Sequence, residues 1–354
     1  MHYDRILITR MKFIGDVVLT TPVIRSVREA CPAAWIAYMG EKQAVSLLGQ
    51  DPSLNEIIGF DFGRPTIIEQ PRVACALRRR KFDLAIDLFG NPRSALLTYL
   101  SGARVRVGPD RPGRGRFYTI RVRDDGKPKT AVAFHNQYLE AAGIPVVAHR
   151  PTLSITADEE REARIYLRWV GSTDRPVETP PLLVGIHPGA TWPAKRWLPE
   201  RFAELADRMT ATLGARVVLT AGPQDDATTN AVLEHSFANI TVLRGLPLRQ
   251  LAAILRQCAV YVTNDNGTMH IAAAVGTPTI GIFGPGEEEI WFPYPSSEGH
   301  KALRRDVFCH PCHLDVCNRP GDAYMECMKL LTVDDVFDQV RRILAERPTP
   351  THPS

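Results

Sequence analysis

Residues 259–284, AVYVTNDNGTMHIAAAVGTPTIGIFG, constrain the fold more than any other part of the chain. They predict a strand at 259–263, a polar turn at 264–267, a short helix at 270–275 that Thr268 caps and Gly276 ends, and a second strand at 278–283. Because a helix separates the two strands, the strands must run parallel. This stretch therefore predicts a βαβ unit within a parallel sheet.

The polar turn of this unit is a candidate ligand site. It follows the carboxyl end of a strand and precedes a helix N-terminus, where backbone N–H groups and the helix dipole favour anionic ligands. Its candidate residues are Asp265, Gly267, Thr268 and His270. A capped turn without a ligand is the alternative that this stretch alone leaves open.

The rest of the chain repeats the alternation of strands and helices on both sides of a linker. Residues 171–181, with three prolines and one glycine, separate two doubly wound α/β domains with mostly parallel sheets, at 1–170 and 182–331. A helix is predicted at 332–346, and a disordered proline-containing tail at 347–354 follows it.

The composition bounds the class of protein. The chain has 354 residues, 44% of them hydrophobic, and no run of 18 apolar residues that would span a membrane. Its start lacks the apolar segment of a secretory signal, so we expect a cytoplasmic protein with reduced cysteines. The net charge of +4 does not by itself indicate nucleic acid.

The loop after the first predicted strand carries two cations and a carboxylate, Arg10, Lys12 and Asp16. Asp16 lies where a helix begins, so one interpretation is an acid that stabilises the helix start. The other is a catalytic carboxylate beside cationic groups. The local sequence leaves both open.

The most basic region, 104–129, holds nine cationic residues against three aspartates. Its glycines and prolines predict a mobile loop. Either this loop is a solvated surface, or Arg111, Arg114 and Arg116 clamp an anionic acceptor or anionic head groups, because arginine pairs bidentately with carboxylates and phosphates. Few aromatic residues and no recognised motif accompany it, which argues against nucleic acid.

Two loops of the second predicted domain carry further candidates. The loop PGATWPAKRW holds Lys195, which could bind a diphosphate by charge together with backbone amides. After the next strand, Asp225 or Asp226 either accepts hydrogen bonds from a ribose or caps a helix. Neither GxxxxGK[ST] nor a GxGxxG after the first strand is present, which argues against a P-loop ATPase and a dehydrogenase.

Four stretches are shared with a known family. They are ILITRMKFIGDVVLTTPVI, FDLAIDLFGNPRSALLTYLSGARVRVG, HPGATWPAKRWLPERF and VTNDNGTMHIAAAVGTPTIGIFGP. Through them, nearly the whole chain resembles glycosyltransferase family 9, the bacterial lipopolysaccharide heptosyltransferases. The resemblance implies a GT-B fold, in which two Rossmann-like domains face each other across a cleft, the first binding the acceptor and the second a nucleotide sugar. In such a fold the helix at 332–346 often crosses back to the first domain.

The resemblance also implies roles for single residues. Asp16 matches the family's general base, and Lys195 matches the lysine that meets the donor diphosphate. The positions matching donor-binding residues are Thr191, Asp225 or Asp226, Asp265, Gly267, Thr268 and His270. On the acceptor side we expect Arg10, Lys12, Arg111, Arg114 and Arg116.

The implied reaction transfers a heptose from ADP-L-glycero-D-manno-heptose to the inner core of lipopolysaccharide with inversion, at the cytoplasmic face of the inner membrane. No cofactor is expected, because Lys195 and the backbone N–H groups at 268–270 could stabilise the departing ADP, and the donor loops lack a DxD-type acidic pair. Two alternatives remain: another nucleotide sugar or acceptor, as in O-antigen or capsule assembly, and a non-catalytic nucleotide-sugar-binding protein.

Four cysteines lie within 19 residues, at Cys309, Cys312, Cys317 and Cys327. Their spacing does not match common zinc fingers, although four thiols this close could bind Zn²⁺ or an iron–sulfur cluster. A reduced structural loop is the alternative. Heptosyltransferase II-like members of the family carry a similar segment at this place.

Overall fold

The structure, a computed structural model, describes residues 3–170 and 182–346. The predicted linker at 171–181 and the predicted tail at 347–354 lie outside these residues. Within the two described ranges, none of the helices combines the length and apolarity needed to cross a bilayer. The chain divides into two compact units, Met1–Thr156 and Ala157–Ser354.

The first unit is a doubly wound parallel sheet. Its strands are β1 (Arg5–Thr9), β2 (Trp35–Glu41), β3 (Glu56–Phe60), β4 (Leu84–Asp87), β5 (Val105–Pro109) and β6 (Ile120–Val122). Its helices are α1 (Ile14–Leu19), α2 (Thr21–Ala30), α3 (Lys42–Val45), α4 (Thr66–Arg79), α5 (Pro92–Leu100) and α6 (Ala131–Ala141). In the strand order β3-β2-β1-β4-β5-β6, successive strands are added on one side of β1 as far as β3 and then on its other side from β4 onward. The loops after the parallel neighbours β1 and β4 therefore lie side by side at the carboxyl edge of the sheet.

The second unit repeats this topology. Its strands are β7 (Leu183–His187), β8 (Arg216–Ala221), β9 (Thr241–Arg244), β10 (Val260–Asn264), β11 (Thr279–Ile282) and β12 (Lys301–Leu303). Its helices are α7 (Ala157–Val170), α8 (Pro199–Leu213), α9 (Asp226–His235), α10 (Leu248–Leu255), α11 (Gly267–Ala274), α12 (Glu288–Trp291), α13 (Glu326–Lys329) and α14 (Val333–Ala345). All pairings in the order β12-β11-β10-β7-β8-β9 are parallel, which confirms the predicted α/β class.

Two local expectations differ from the structure. The basic region predicted as a mobile loop contains β6, a three-residue edge strand that pairs with β5. Helix α11 begins at Gly267, and its N-cap is Asn266 instead of Thr268. Asn266 is the better cap because its side-chain oxygen accepts hydrogen bonds from the backbone N–H groups of both Thr268 and Met269.

Helix α7 belongs to the second unit, although the sequence placed it in the first domain. It packs along α10, where Glu159 forms a two-point ion pair with Arg249 and Glu160 accepts a 2.6 Å hydrogen bond from Arg256. The division therefore falls at residue 156 and not at 170. The sequence pattern could not show this, because an acidic first turn suits any helix start.

Helix α14, which we expected to reach back to the first domain, packs into the core of the second unit. Its buried residues Val333, Val336, Phe337, Val340 and Ile343 join the cluster formed by α8 and the sheet strands. Thr332 and Asp335 close a capping box at its start, with the Thr332 side chain accepting from the backbone N–H of Asp335 at 3.2 Å.

Truncation of this packing tests the role of α14. Phe337→Ala should lower stability by about 3–5 kcal/mol, because it deletes a buried aromatic side chain. Arg341→Ala, on the exposed side of the same helix, is the matched control and should stay within about 0.5 kcal/mol of the parent protein. Thermal unfolding measures both; equal losses would mean that the helix packs differently.

Candidate active site

Asp16 occupies the third position of α1, at the end of the loop that follows β1. Its carboxylate accepts a 3.3 Å hydrogen bond from the backbone N–H of Phe13 and forms an ion pair with the guanidinium of Arg10. The Arg10 guanidinium in turn stacks 4.4 Å from the ring centre of Phe89, in the loop after β4. Asp16 is thus both a helix-start acid, as one interpretation had it, and an oriented carboxylate beside a cation.

Two buried groups near this ion pair escaped the sequence analysis. Burial lowers the pKa of His135 on α6 to about 3, with the charge of Arg10 lowering it further and that of Asp16 opposing the shift. The imidazole is therefore neutral at physiological pH. Tyr38 at the centre of β2 shares a 2.7 Å hydrogen bond with Thr20, and burial raises the pKa of its hydroxyl. A single histidine or tyrosine in an amphipathic pattern gives no signal that would mark it.

A buried carboxylate ties the basic region to the sheet. Asp87 ends β4, and its carboxylate accepts a 2.6 Å hydrogen bond from the hydroxyl of Tyr118, which lies within the basic region. Burial raises the pKa of Asp87, although backbone N–H groups of Phe89 and Gly90 oppose this shift. Tyr118 thereby holds the basic region against the carboxyl end of β4.

The predicted cations of the first unit fall into two places. Arg111 and Arg116 line a shallow depression of about 440 Å³ together with Asp110 and Arg121. Burial and the charge of Asp87 raise the pKa of the buried Tyr138 hydroxyl, whereas the charges of Arg111 and Arg10 lower it. Arg114 has the same lowering effect on the pKa of Tyr118. The structure thus brings Arg10, Arg111 and Arg114 toward one group of buried tyrosines.

Lys12 lies apart from this group. Its ammonium is 4.4 Å from the ring centre of Phe62 and 5.9 Å from that of Phe13, which is 64% exposed. The cation at the tip of the loop therefore faces an aromatic, largely exposed surface of the same unit.

Lys195 and Asp265 form the central ion pair of the second unit, with Nζ 2.5 Å from Oδ2. Lys195 ends a short 3-10 turn, Pro193–Lys195, and its ammonium also lies 4.6 Å above the ring centre of Trp192. Asp265 follows β10 and is buried. The sequence placed these residues in two separate motifs, and the structure brings them together.

Two asparagines that the sequence analysis overlooked hold these loops in place. Asn264 accepts a 3.0 Å hydrogen bond from the backbone N–H of Trp197 and donates a 2.7 Å bond to the carbonyl of Pro188. Asn266 donates a 2.9 Å bond to the carbonyl of Gly189 while it caps α11. The turn after β10 therefore fixes both ends of the loop that carries Lys195.

A chain of hydrogen bonds connects this turn to the neighbouring strands. Asn266 Oδ1 accepts from the Thr268 hydroxyl at 2.8 Å, and Thr268 accepts from Tyr261 at 3.0 Å. Tyr261 is 2.7 Å from the hydroxyl of Thr220, which is 2.9 Å from Nδ1 of His187. Thr268 is a predicted ligand-binding residue, and its hydroxyl both accepts and donates a hydrogen bond within this series of side chains.

The two aspartates after β8 have different surroundings. Asp225 is buried, accepts a 2.7 Å hydrogen bond from the backbone N–H of Gly222, and lies 3.5 Å from Nε2 of His187. Burial lowers the pKa of His187, and the charge of Asp225 opposes this shift. Asp226 is the first residue of α9, is exposed, and pairs with Arg244. Neither carboxylate caps the helix by a side-chain hydrogen bond, contrary to one of the two predicted roles for Asp225.

The remaining predicted residues surround the same edge of the sheet. Gly267 is the first residue of α11, and His270 lies one turn further along it, buried, with Nδ1 3.0 Å from the Tyr294 hydroxyl. Thr191 is exposed in the Lys195 loop. The carboxyl edge of the second unit therefore gathers Lys195, Asp265 and the start of α11 around one surface.

The cysteine segment supports these loops through its backbone. The carbonyl of Asp315 accepts a 2.9 Å hydrogen bond from Ala194, beside Lys195, and the backbone N–H of His313 donates to Pro285 at 3.0 Å. Its four thiols form no disulfides, and burial raises the pKa of Cys327 to about 11, with Cys309, Cys312 and Cys317 adding to the shift. Across residues 3–170 and 182–346, no three His, Cys, Asp or Glu side chains are arranged to hold a metal ion.

Substitution of Asn266 tests the anchoring of the turn after β10 and the loop around Lys195. Asn266→Ala should lower stability by about 1–2 kcal/mol, because α11 loses its cap. Asn266→Asp keeps the capping oxygen but cannot donate to the carbonyl of Gly189, so its loss should be smaller. Thermal unfolding of the two variants measures the difference. An Asn266→Ala protein as stable as the aspartate variant would show that the cap is dispensable.

Comparison with known proteins agrees with this geometry. Residues 71–319 match the model of glycosyltransferase family 9 (heptosyltransferase). Lipopolysaccharide heptosyltransferase 2 of Salmonella typhimurium is 28% identical over 361 residues, which cover 97% of this chain and 99% of that protein. A crystal structure of a family 9 glycosyl transferase from Veillonella parvula superposes with a TM-score of 0.83 at 25% identity, covering 98% of both chains.

The E. coli ADP-heptose lps heptosyltransferase II superposes with a TM-score of 0.78 at 24% identity, covering 97% of this chain and 99% of that chain. The fold, two Rossmann-like units, is that of the GT-B glycosyltransferases, as the sequence predicted. The chain belongs to glycosyltransferase family 9 and is an enzyme of glycosyl transfer.

Proposed function

We propose that this enzyme transfers a heptose from ADP-L-glycero-D-manno-heptose to the inner core of lipopolysaccharide, with inversion at the anomeric carbon, at the cytoplasmic face of the inner membrane. The relatives are named for heptose transfer to lipopolysaccharide, and one solved relative is named for ADP-heptose. The observation that carries the proposal is that one unit holds an oriented carboxylate, Asp16, and the other holds the Lys195–Asp265 ion pair.

The first unit supplies the base. The acceptor hydroxyl gives its proton to the carboxylate of Asp16 as the oxygen forms a bond to the anomeric carbon. Arg10 and the backbone N–H of Phe13 hold the carboxylate in one orientation, which lowers the entropy cost of reaching the reactive geometry. Arg111, Arg114 and Arg116 provide the positive charge that an anionic core saccharide requires.

The second unit supplies the donor site. As the new bond forms, the bond from the anomeric carbon to the diphosphate breaks, and its electron pair leaves with ADP. Lys195 and the backbone N–H groups at the start of α11 stabilise the charge that develops on the diphosphate. Asp225 is the candidate for the ribose, since it already accepts a backbone hydrogen bond at the same edge of the sheet.

The second candidate function is transfer from another nucleotide sugar or to another acceptor. It stays open because the Lys195–Asp265 ion pair does not determine which sugar the donor carries. Transfer assays with ADP-heptose against UDP- and GDP-sugars on an inner-core acceptor separate the two. Turnover with ADP-heptose but with none of the other donors supports the proposal, whereas faster transfer from a UDP- or GDP-sugar would overturn it.

Asp16→Asn tests the base. The amide keeps the size of the side chain and its contact with Phe13 but cannot take the proton, so kcat should fall by about 10²–10⁴. The dissociation constant for the donor, measured by calorimetry, should stay within about twofold, since the donor is bound by the second unit. Glu29→Gln, an exposed carboxylate on α2, is the control. Turnover of Asp16→Asn within tenfold of wild type would refute the assignment.

Lys195→Gln tests the donor contact. Removal of the ammonium should weaken donor binding by roughly 10–100-fold, because a charge-assisted contact with the diphosphate is lost. The variant also leaves Asp265 buried without its partner, so the double variant Lys195→Gln/Asp265→Asn separates the two effects. Donor-induced thermal shifts measure binding in both. Recovery of wild-type affinity in the double variant would mean that Lys195 serves only to neutralise Asp265.

A further inference from the structure

Helix α4 presents large apolar side chains to solvent at its start. Ile67 is 83% exposed and Ile68 is 59% exposed, among the more exposed large apolar residues described in the first unit. The buried side of the same helix is formed by Glu69, Val73 and Leu77, at four-residue spacing. The two isoleucines therefore contribute little to the core, and adjacent exposed apolar side chains of this size mark an interaction surface.

Ile67 belongs to a mostly apolar groove between α4 and α5, and exposed Ile68 is its neighbour in the chain. Ile67, Pro71, Ala74 and Leu100, together with the polar Thr66 and Gln70, line an open groove of about 640 Å³. We call the surface formed by the four apolar residues and Ile68 the α4 face. It is narrow and shallow, and its apolar side chains come from the exposed sides of two helices.

The segment that carries helix α4 is basic. Between residues 61 and 81 the chain has six cationic residues and two acidic ones. Both acids are engaged locally, Glu69 with Arg72 and Asp61 with Arg64. Exposed Arg78 and Arg79 follow on the same helix. Apolar side chains flanked by arginines are complementary to a lipid surface with anionic head groups.

The α4 face adjoins the loop that carries Asp16. Arg93 donates a 3.1 Å hydrogen bond to the hydroxyl of Thr66, the first residue of α4, and lies 5.0 Å from the ring centre of Phe62. Lys12 contacts the same ring at 4.4 Å. A short series of contacts thus leads, within the first unit, from the isoleucines to the loop between β1 and α1.

We propose that the α4 face docks the enzyme on an anionic lipid bilayer, the surface that carries its acceptor. This inference rests on the proposed function, in which the acceptor saccharide is attached to a membrane lipid. The isoleucines enter the boundary between head groups and acyl chains, and the arginines meet the head-group charge. Docking here holds the Asp16 loop close to the lipid-attached saccharide.

Sedimentation with lipid vesicles tests the docking surface. The full-length enzyme should bind vesicles of phosphatidylcholine and phosphatidylglycerol more strongly than vesicles of phosphatidylcholine alone, and raised salt should weaken this binding. The double variant Ile67→Ser/Ile68→Ser should bind the mixed vesicles about tenfold more weakly. Its melting temperature should not change, because both side chains are exposed.

Phe237→Ser is the matched control, since Phe237 is 98% exposed but lies in the second unit. It should bind the mixed vesicles like the wild type. Three results would overturn the inference: no binding of the wild type, equal binding of the double variant, or an equal loss in Phe237→Ser. A wild-type dimer that the isoleucine substitutions dissociate would overturn it too, because the occupant would then be a second copy of the chain.

Turnover assays separate this inference from the proposed function. With a delipidated, soluble core saccharide, the double variant should keep wild-type turnover, whereas with an acceptor embedded in vesicles its rate should fall about tenfold. If the wild type transfers no heptose to the soluble saccharide, the proposed function fails, while vesicle binding that depends on the isoleucines still supports the docking surface.

Discussion

The hydrogen bonds that run from buried His187 to half-buried Asn266 are the constraint on which the second unit's site depends. They cross from β7 through β8 and β10 to the cap of α11, so one arrangement satisfies polar groups from all of these elements. A buried polar group left unpaired costs about 1–3 kcal/mol, which makes partial versions of this chain unfavourable. Burial also raises the pKa of Tyr261, so its hydroxyl remains a donor. The loops around Lys195 are thereby held to a rigid sheet edge.

The candidate site residues of the first unit are held in place in a different way. Its loop after β1 is oriented by the ion pair between Arg10 and Asp16 and by the hydrogen bond from Phe13, and its basic region is held by the buried contact between Asp87 and Tyr118 and by the short pairing of β6 with β5. Most of the arginines beyond these contacts are exposed and adaptable. Under the proposed function this contrast has a physical reason, because a nucleotide diphosphate has a fixed shape, whereas a branched anionic saccharide must be met by side chains that can move.

The strand and helix alternation predicted both Rossmann-like units, because hydrophobic periodicity reports which side of an element is buried. The same signal could not place α7, whose membership depends on the partners of Glu159 and Glu160 on α10. Nor could it find β6, a three-residue edge strand flanked by arginines. Asn264, Asn266 and His135 were missed for a related reason. Their roles depend on contacts with residues distant in sequence. A turn-rich or amphipathic pattern predicts which type of residue is present but not which residue it contacts.

The ion pair between Lys195 and Asp265 has a consequence for the proposed transfer. A lysine already compensated by a buried carboxylate attracts the ground-state diphosphate less than a free lysine would, since part of its charge is neutralised. As the bond to the sugar breaks, negative charge grows on the diphosphate, and the attraction of Lys195 grows with it. The interaction is then stronger in the transition state than in the bound donor, which is the condition for an interaction to raise kcat instead of only tightening binding. Under the proposed function, Asp265 positions the lysine that meets this growing charge, while Asp16 takes the proton.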